Sequence, residues 1–340
     1  MRHKLRNRFP MPHLNRRPNP RPTVARGVAL LIGLLVFAAL IFAVAGWALY
    51  ARDPVRLLDV VDRIAGGTQG AQEVARIRLG EGDSQLLRVF RAPQTPDAQA
   101  PMVLFVHGGS WDSGHPASYT FVARGLAREG YLVALAGYRL GETGRYPGML
   151  EDSAAAIATL RDRATRLGGD PDRIFVMGHS AGAYNVVQTV LDPRWLAQEK
   201  VPQEAIAGIV GLAGPYDFYP FDGPATQAAF GAFPDGAATQ PINHVRGDAP
   251  PMLLATGTAD TTVKPRNTEA LAAALREAGG AVETRFYSGL SHSDAVVRLA
   301  APWRKRHPQL FRDVLDFLRD PARVAGSDPQ PSVPVQGETG

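Results

Sequence analysis

Cysteine is absent from all 340 residues. Disulfides, thiolate zinc sites, iron–sulfur clusters and cysteine nucleophiles are therefore excluded together. The redox compartment stays open, because a chain without thiols is safe in either. Also missing are a phosphate-binding glycine loop, a dinucleotide fingerprint and a cluster of metal ligands. No cofactor is expected, and no internal repeat is visible. Charged residues make up only 20% against 45% apolar, a balance that supports a sizeable core and rules out wholesale disorder.

The formal net charge of +5 conceals an uneven distribution. Residues 1–26 hold eight Lys or Arg and no acid, together with five prolines, and read as a disordered basic tail. The remainder carries 29 basic and 32 acidic residues, a balance of −3. The main body has no general attraction for nucleic acid.

From Gly27 to Ala51 there are 25 consecutive uncharged residues, GVALLIGLLVFAALIFAVAGWALYA. As a helix they would extend about 37 Å, enough for a tilted crossing of a roughly 30 Å hydrocarbon layer. Trp47 and Tyr50 stand at the far end, where amphipathic rings favour an interface. Eight cations precede the run, and only Arg52, Arg56 and Arg63 follow within twenty residues. The positive-inside rule then puts the tail in the cytoplasm and the main body across the membrane, on the periplasmic side if the cell is bacterial. Ala43-Val44-Ala45 also resembles a cleavage site, so a removed signal peptide is the alternative. Residues 52–72 read as a linker and 321–340, with four prolines, as a flexible tail.

Between 73 and 320 the pattern alternates between short β-rich runs and longer amphipathic ones. Strands are expected at Val74–Leu79, Gln85–Arg91, Met102–His107, Tyr131–Ala136, Arg173–Met177, Ile206–Leu212, Met252–Thr256 and Val282–Tyr287. MVLFVHG and RIFVMG are nearly continuous apolar runs, which suit strands covered on both faces. Helices are expected at Ala117–Glu129, Pro147–Leu167, Ala181–Leu191, Lys264–Ala278 and Pro308–Leu318. With no helix between them, the first two strands should form a hairpin. The fold class is one α/β domain with a mostly parallel sheet.

Gly178-His179-Ser180-Ala181-Gly182 fits G-x-S-x-G between a strand-like and a helix-like run. That setting is the nucleophile elbow, a tight turn that exposes the serine hydroxyl at a strand end. His107-Gly108-Gly109-Ser110-Trp111 follows the strand MVLFV, and its glycines let backbone N–H groups face an oxyanion, joined by the N–H of Ala181. His107 itself reads as a brace for this loop. The general base should come late in the chain, and His292, in Gly-Leu-Ser-His-Ser-Asp after the last strand, fits that order. Its acid should follow the preceding strand, where Asp260 stands three residues past Gly257. Asp217 is the runner-up. Asp294 is too close to His292 in sequence to be favoured.

These blocks resemble the α/β-hydrolase fold, and more closely the hormone-sensitive-lipase-like, feruloyl/acetyl-xylan-esterase-like and kynurenine-formamidase-like carboxylesterases. Tyr138-Arg139-Leu140, Pro147 and Glu151-Asp152 match the spacing of that group's second signature. The resemblance covers about residues 74–320. It implies an eight-stranded sheet, Ser180 as nucleophile, Asp260 and His292 as its partners, and Gly108, Gly109 and Ala181 as the oxyanion hole. Arg139 is expected to have a structural role with an acid. Ser110 replaces the third glycine common in lipase-like members, which argues against long acyl chains. Residues 214–248 occupy the position of a lid, and Trp111, Tyr216 and Phe218 are candidate substrate-binding residues. The expected partners are a small ester and the lipid bilayer. An amidase, arylformamidase or peptidase using the same triad is the alternative chemistry, and a non-enzymatic interaction protein the alternative class.

Overall fold

The computed structural model describes residues 22–67, 70–93 and 99–326. Most of the expected basic tail and residues 327–340 lie outside the described residues. The chain divides into two compact units, one ending at Ala51 and the other beginning at Arg52.

Pro22–Arg52 form a single helix, α1, all but its last residue in the first unit. It contains Gly27–Ala51, a stretch with mean hydropathy 3.0 and long enough to cross a membrane. Its apolar side chains are exposed on every side, Leu30 at 70% and Phe42 at 77% among them. A helix with no polar face has no stripe that distinguishes core from water. Such a helix is compatible with a membrane anchor or a signal sequence.

The second unit is built on one eight-stranded sheet. Its strands are β1 (Gln72–Arg78), β2 (Leu86–Arg91), β3 (Ala100–Val106), β4 (Leu132–Ala136), β5 (Gly169–His179), β6 (Ile206–Leu212), β7 (Met252–Gly257) and β8 (Val282–Tyr287). Their spatial order is β1-β2-β4-β3-β5-β6-β7-β8. The β1–β2 hairpin and the β2–β4 pair are antiparallel, and the rest of the sheet is parallel. Every residue of β4 and β7 is buried, which explains their unbroken apolar reading. The order reverses around β3, whose neighbours are β4 and β5. That reversal opens a crevice beyond the carboxyl ends of the strands.

Helices cover both faces. On one side lie α2 (Pro54–Asp62), α3 (Thr120–Ala127), α10 (Asp294–Val297), α11 (Ala301–Arg306) and α12 (Gln309–Arg319). Leu58, Phe121, Val296, Val314 and Phe317 close this core against Phe105, Phe175 and Leu253. On the other side lie α4 (Gly148–Asp162), α5 (Ala164–Leu167), α6 (Ala181–Leu191), α7 (Arg194–Gln198), α8 (Pro224–Phe230) and α9 (Arg266–Glu277). Leu150, Ile157, Val187 and Leu271 pack there against Leu104, Val176 and Leu254.

Two segments differ from the sequence expectation. Residues 54–62 of the supposed linker form α2, tied into the domain by its own carboxylates. Arg124 donates from Nε to Asp62 Oδ2 at 2.8 Å and from Nη2 to Asp59 Oδ1 at 2.5 Å. Asp62 Oδ1 accepts the Ala301 N–H at 2.6 Å. Residues 321–326 of the supposed tail form a 3₁₀ turn with Val324 buried, and Arg323 pairs with Glu283 at 3.2 Å. In both segments polar groups find partners far along the chain.

The Arg124 side chain is buried, as are both carboxylates. Removing the cation would strand two buried negative charges, a loss of about 3–5 kcal/mol for a pair broken on one side. Arg124→Met should lower the stability measured by urea unfolding by at least that amount. A loss below about 1 kcal/mol would contradict the assignment of this cluster as the clasp of α2.

Candidate active site

The end of β5 and the start of α6 meet in a turn that only small residues can make. A Cβ on Gly178 would come within 2.2 Å of the Gly182 carbonyl oxygen, and one on Gly182 within 2.2 Å of the Val106 carbonyl oxygen. Strand, helix and the neighbouring β3 thus touch backbone to backbone. Between the glycines Ser180 is held at φ 55° and ψ −123°, in the left-handed half of backbone space. Such a conformation costs about 1–3 kcal/mol and persists because the surroundings enforce it. The Ser180 N–H is fixed to the Leu212 carbonyl at 2.9 Å.

His292 lies on the loop after β8 and Asp260 on the loop after β7. The structure brings both to Ser180. His292 Nε2 is 2.8 Å from Ser180 Oγ, and His292 Nδ1 is 2.8 Å from Asp260 Oδ2. Asp260 is buried, and its other oxygen accepts the N–H groups of Thr262 and Val263 at 2.9 Å each. A carboxylate only accepts, so His292 carries its proton on Nδ1 and leaves Nε2 free to accept one from serine. Asp217 is elsewhere: its N–H, with that of Tyr216, donates to Asn267 Oδ1. Asp294 braces the His292 loop by accepting from Ser291 N–H and Oγ–H at 2.8 and 2.7 Å.

The loop after β3 supplies the opposite wall. His107 is the expected brace, with its ring stacked between Tyr119 and Tyr138 at 5.9 and 4.7 Å. Its Nδ1–H donates to the Gly108 carbonyl at 2.7 Å, and burial pushes its pKa down to about 4. Gly108 lies against the elbow that carries Ser180. The residue is glycine because a Cβ there would lie 2.9 Å from the His179 carbonyl oxygen and 3.1 Å from Ser180 Cβ. Ser110, Trp111 and Ala181 line the cavity beside Ser180, and Gly109 turns the chain toward it with φ 120°.

That cavity has a volume of about 310 Å³. Trp111 and Phe218 border it as expected, their rings 6.0 Å apart. Trp111 donates from Nε1 to Asn185 Oδ1 at 3.0 Å. Tyr216 does not line the cavity and is fully buried, which corrects its expected role in binding substrate. The segment between β6 and β7 folds over α8 and two 3₁₀ turns, with Phe218, Phe221 and Phe230 in mutual ring contact. Further back, Arg139 is half-buried and grips Asp152 at 3.0 Å and Glu151 at 2.7 Å, the structural role its motif suggests.

His179 is the site residue that the sequence did not single out. As the variable position of G-x-S-x-G it carried no signal of its own. Its buried ring donates from Nε2 to the backbone carbonyl of His292 at 3.1 Å. The two imidazole centres are 5.0 Å apart. Burial first, and the neighbouring His292 second, push the His179 pKa down to about 3, so the ring is neutral.

Comparison with known proteins agrees with this fold. The chain is 27% identical over 252 residues to isoprenylcysteine alpha-carbonyl methylesterase ICME of Arabidopsis thaliana, covering 66% of this chain and 57% of that protein. It is 30% identical over 223 residues to esterase LipC of Mycobacterium tuberculosis, covering 59% of this chain and 54% of the relative. The chain thus spans little more than half the length of these curated relatives. Among solved structures, esterase 2 of Thermogutta terrifontis superposes with a TM-score of 0.60 at 22% identity, over 74% of this chain and 92% of that one. Esterase B of Lactobacillus rhamnosis gives 0.64 at 18%, over 85% and 97%. These likenesses establish the α/β-hydrolase fold. The BD-FAE family model matches residues 89–275, more than half of the chain and the stretch that carries Ser180 and Asp260, so the chain belongs to the BD-FAE family.

Proposed function

We propose that this protein is a serine carboxylesterase that cleaves small carboxylic esters through an acyl-enzyme on Ser180. The observation that carries the reading is the unbroken relay from Ser180 Oγ through His292 to buried Asp260, with 2.8 Å at both links. Ser180 attacks the ester carbonyl while His292 Nε2 takes its proton, and Asp260 steadies the imidazolium that forms. The proton then passes to the departing alkoxide. Water, activated by the same imidazole, releases the acid and restores the serine. The N–H groups of Gly108, Gly109 and Ala181 are the oxyanion donors in this reading, each worth about 2.7–4 kcal/mol of barrier.

The aromatic lining of Trp111 and Phe218 suits a short acyl or aryl group. His179 is a positioning residue. Through the His292 carbonyl it ties the base loop to the strand that carries the nucleophile. For the amino-terminal unit we propose a single-pass anchor with the catalytic domain on the non-cytoplasmic side, a reading supported by the eight cations before the apolar run and the three after it.

Ser180→Ala should abolish hydrolysis of 4-nitrophenyl acetate with an unchanged unfolding midpoint. Asp260→Asn should lower kcat about 10⁴-fold by disfavouring the productive imidazole tautomer, while Asp217→Asn changes it less than about threefold. The reverse order would reassign the acid.

His179→Ala should lower kcat at least about tenfold with little change in KM, because the effect acts on the placement of the base and not on binding. His179→Gln, which retains a donor of similar reach, should recover much of the loss. Equal losses in both variants, or a change confined to KM, would remove this role.

A further inference from the structure

The cavity beside Ser180 has two unlike kinds of lining. Trp111 and Phe218 are aromatic, whereas Lys264 and Arg266, just before and at the start of α9, are cationic. Of the sixteen residues bordering the cavity only Lys264, Arg266 and Asp222 are charged, a local balance of +1. The part of the chain after residue 26 has a balance of −3, so this concentration does not follow from the protein's average charge.

Among the described residues neither cation makes an ion pair. Asp222, which borders the same cavity, forms no ion pair with either. The backbone that carries them is nevertheless fixed. Asn267 is buried, donates to the Lys264 carbonyl at 3.3 Å and accepts the N–H groups of Tyr216 and Asp217. The same turn begins at Asp260, which accepts from Thr262 and Val263. Two positive side chains are thus carried at a fixed register from the triad acid, bordering the cavity of the nucleophile, without an ion-pair partner among the described residues.

We infer that the preferred ester carries a carboxylate, seated against Lys264 and Arg266 while its apolar portion lies on Trp111 and Phe218. This rests on the esterase reading of the same site and adds the charge class of the substrate. Asp222 sets a limit to the attraction and disfavours substrates with a second anionic group. Both cations are exposed, so each contact contributes roughly threefold to fivefold in a wet cleft, and the pair about tenfold. Salt should screen the effect.

The test compares kcat/KM of the full chain for two 4-nitrophenyl esters of similar length, neutral pentanoate and carboxylate-terminated glutarate. A second pair, phenyl and 4-carboxyphenyl butyrate, places the anion on the alcohol side. The readout is the ratio of anionic to neutral kcat/KM, taken for the wild type and for Lys264→Glu/Arg266→Glu, so that intrinsic reactivity cancels. In at least one pair the double variant should lower the ratio about tenfold or more, mainly through KM, and rising salt should lower the wild-type ratio. Wild-type hydrolysis of the neutral esters with a ratio indifferent to both the variant and salt would overturn the anion preference and leave the esterase reading intact. Failure to hydrolyse any of the four esters would overturn both.

Discussion

The site depends on one close approach of backbones. Gly178 and Gly182 let β5, α6 and β3 touch where any side chain would collide. That contact holds Ser180 at positive φ, with its N–H on Leu212 and its hydroxyl raised toward the crevice. The strain is local, and the parallel sheet around it sustains the cost. Apolar strands covered on both faces form the rigid platform, and their carboxyl ends deliver the loops that matter. The HGGSW loop comes from β3, the serine from β5, the acid from β7 and the base from β8. No two of these groups need be near in sequence, because the sheet order brings them together.

Around that point, polarity is distributed by burial. Asp260 is inside and satisfied by two backbone N–H groups besides His292, so its charge is stabilised without water. His107 and His179 are also inside, but burial keeps both neutral, and they act as hydrogen-bonding struts. His292 alone among these three rings bonds the serine hydroxyl. Three histidines near one nucleophile thus divide into one base and two braces by environment and not by residue type. On the open side of the cavity the charges are unpaired, which leaves Lys264 and Arg266 free to meet a ligand.

Much of this was legible in the sequence. Ile206–Leu212 and Val282–Tyr287 match their observed strands to the residue, because short β-rich runs between turn signals admit little else. Ser180, His292 and Asp260 followed from the order of motifs along an α/β chain, and the structure brings them together. The failures share a cause. Tyr216 was read as a pocket wall because it is aromatic, but its backbone is turned inward by Asn267, fifty-one residues on. Helix α2 was read as a linker because Asp59 and Asp62 look solvated until Arg124 is seen between them. β5 begins at Gly169, four residues before the apolar run, because Gly169 pairs with Ala100 of β3. Composition and periodicity report local preference. They carry no information about partners supplied by another part of the chain.

The central claim is that Ser180 is reactive because His292 and Asp260 make it so. The most direct measurement is labelling with a fluorophosphonate, followed by mass analysis of the peptide that carries the adduct. The account predicts one adduct per chain, on Ser180, forming at least about a hundredfold more slowly in His292→Ala. Rapid labelling of a different serine, or labelling of Ser180 at an equal rate without the imidazole, would contradict it.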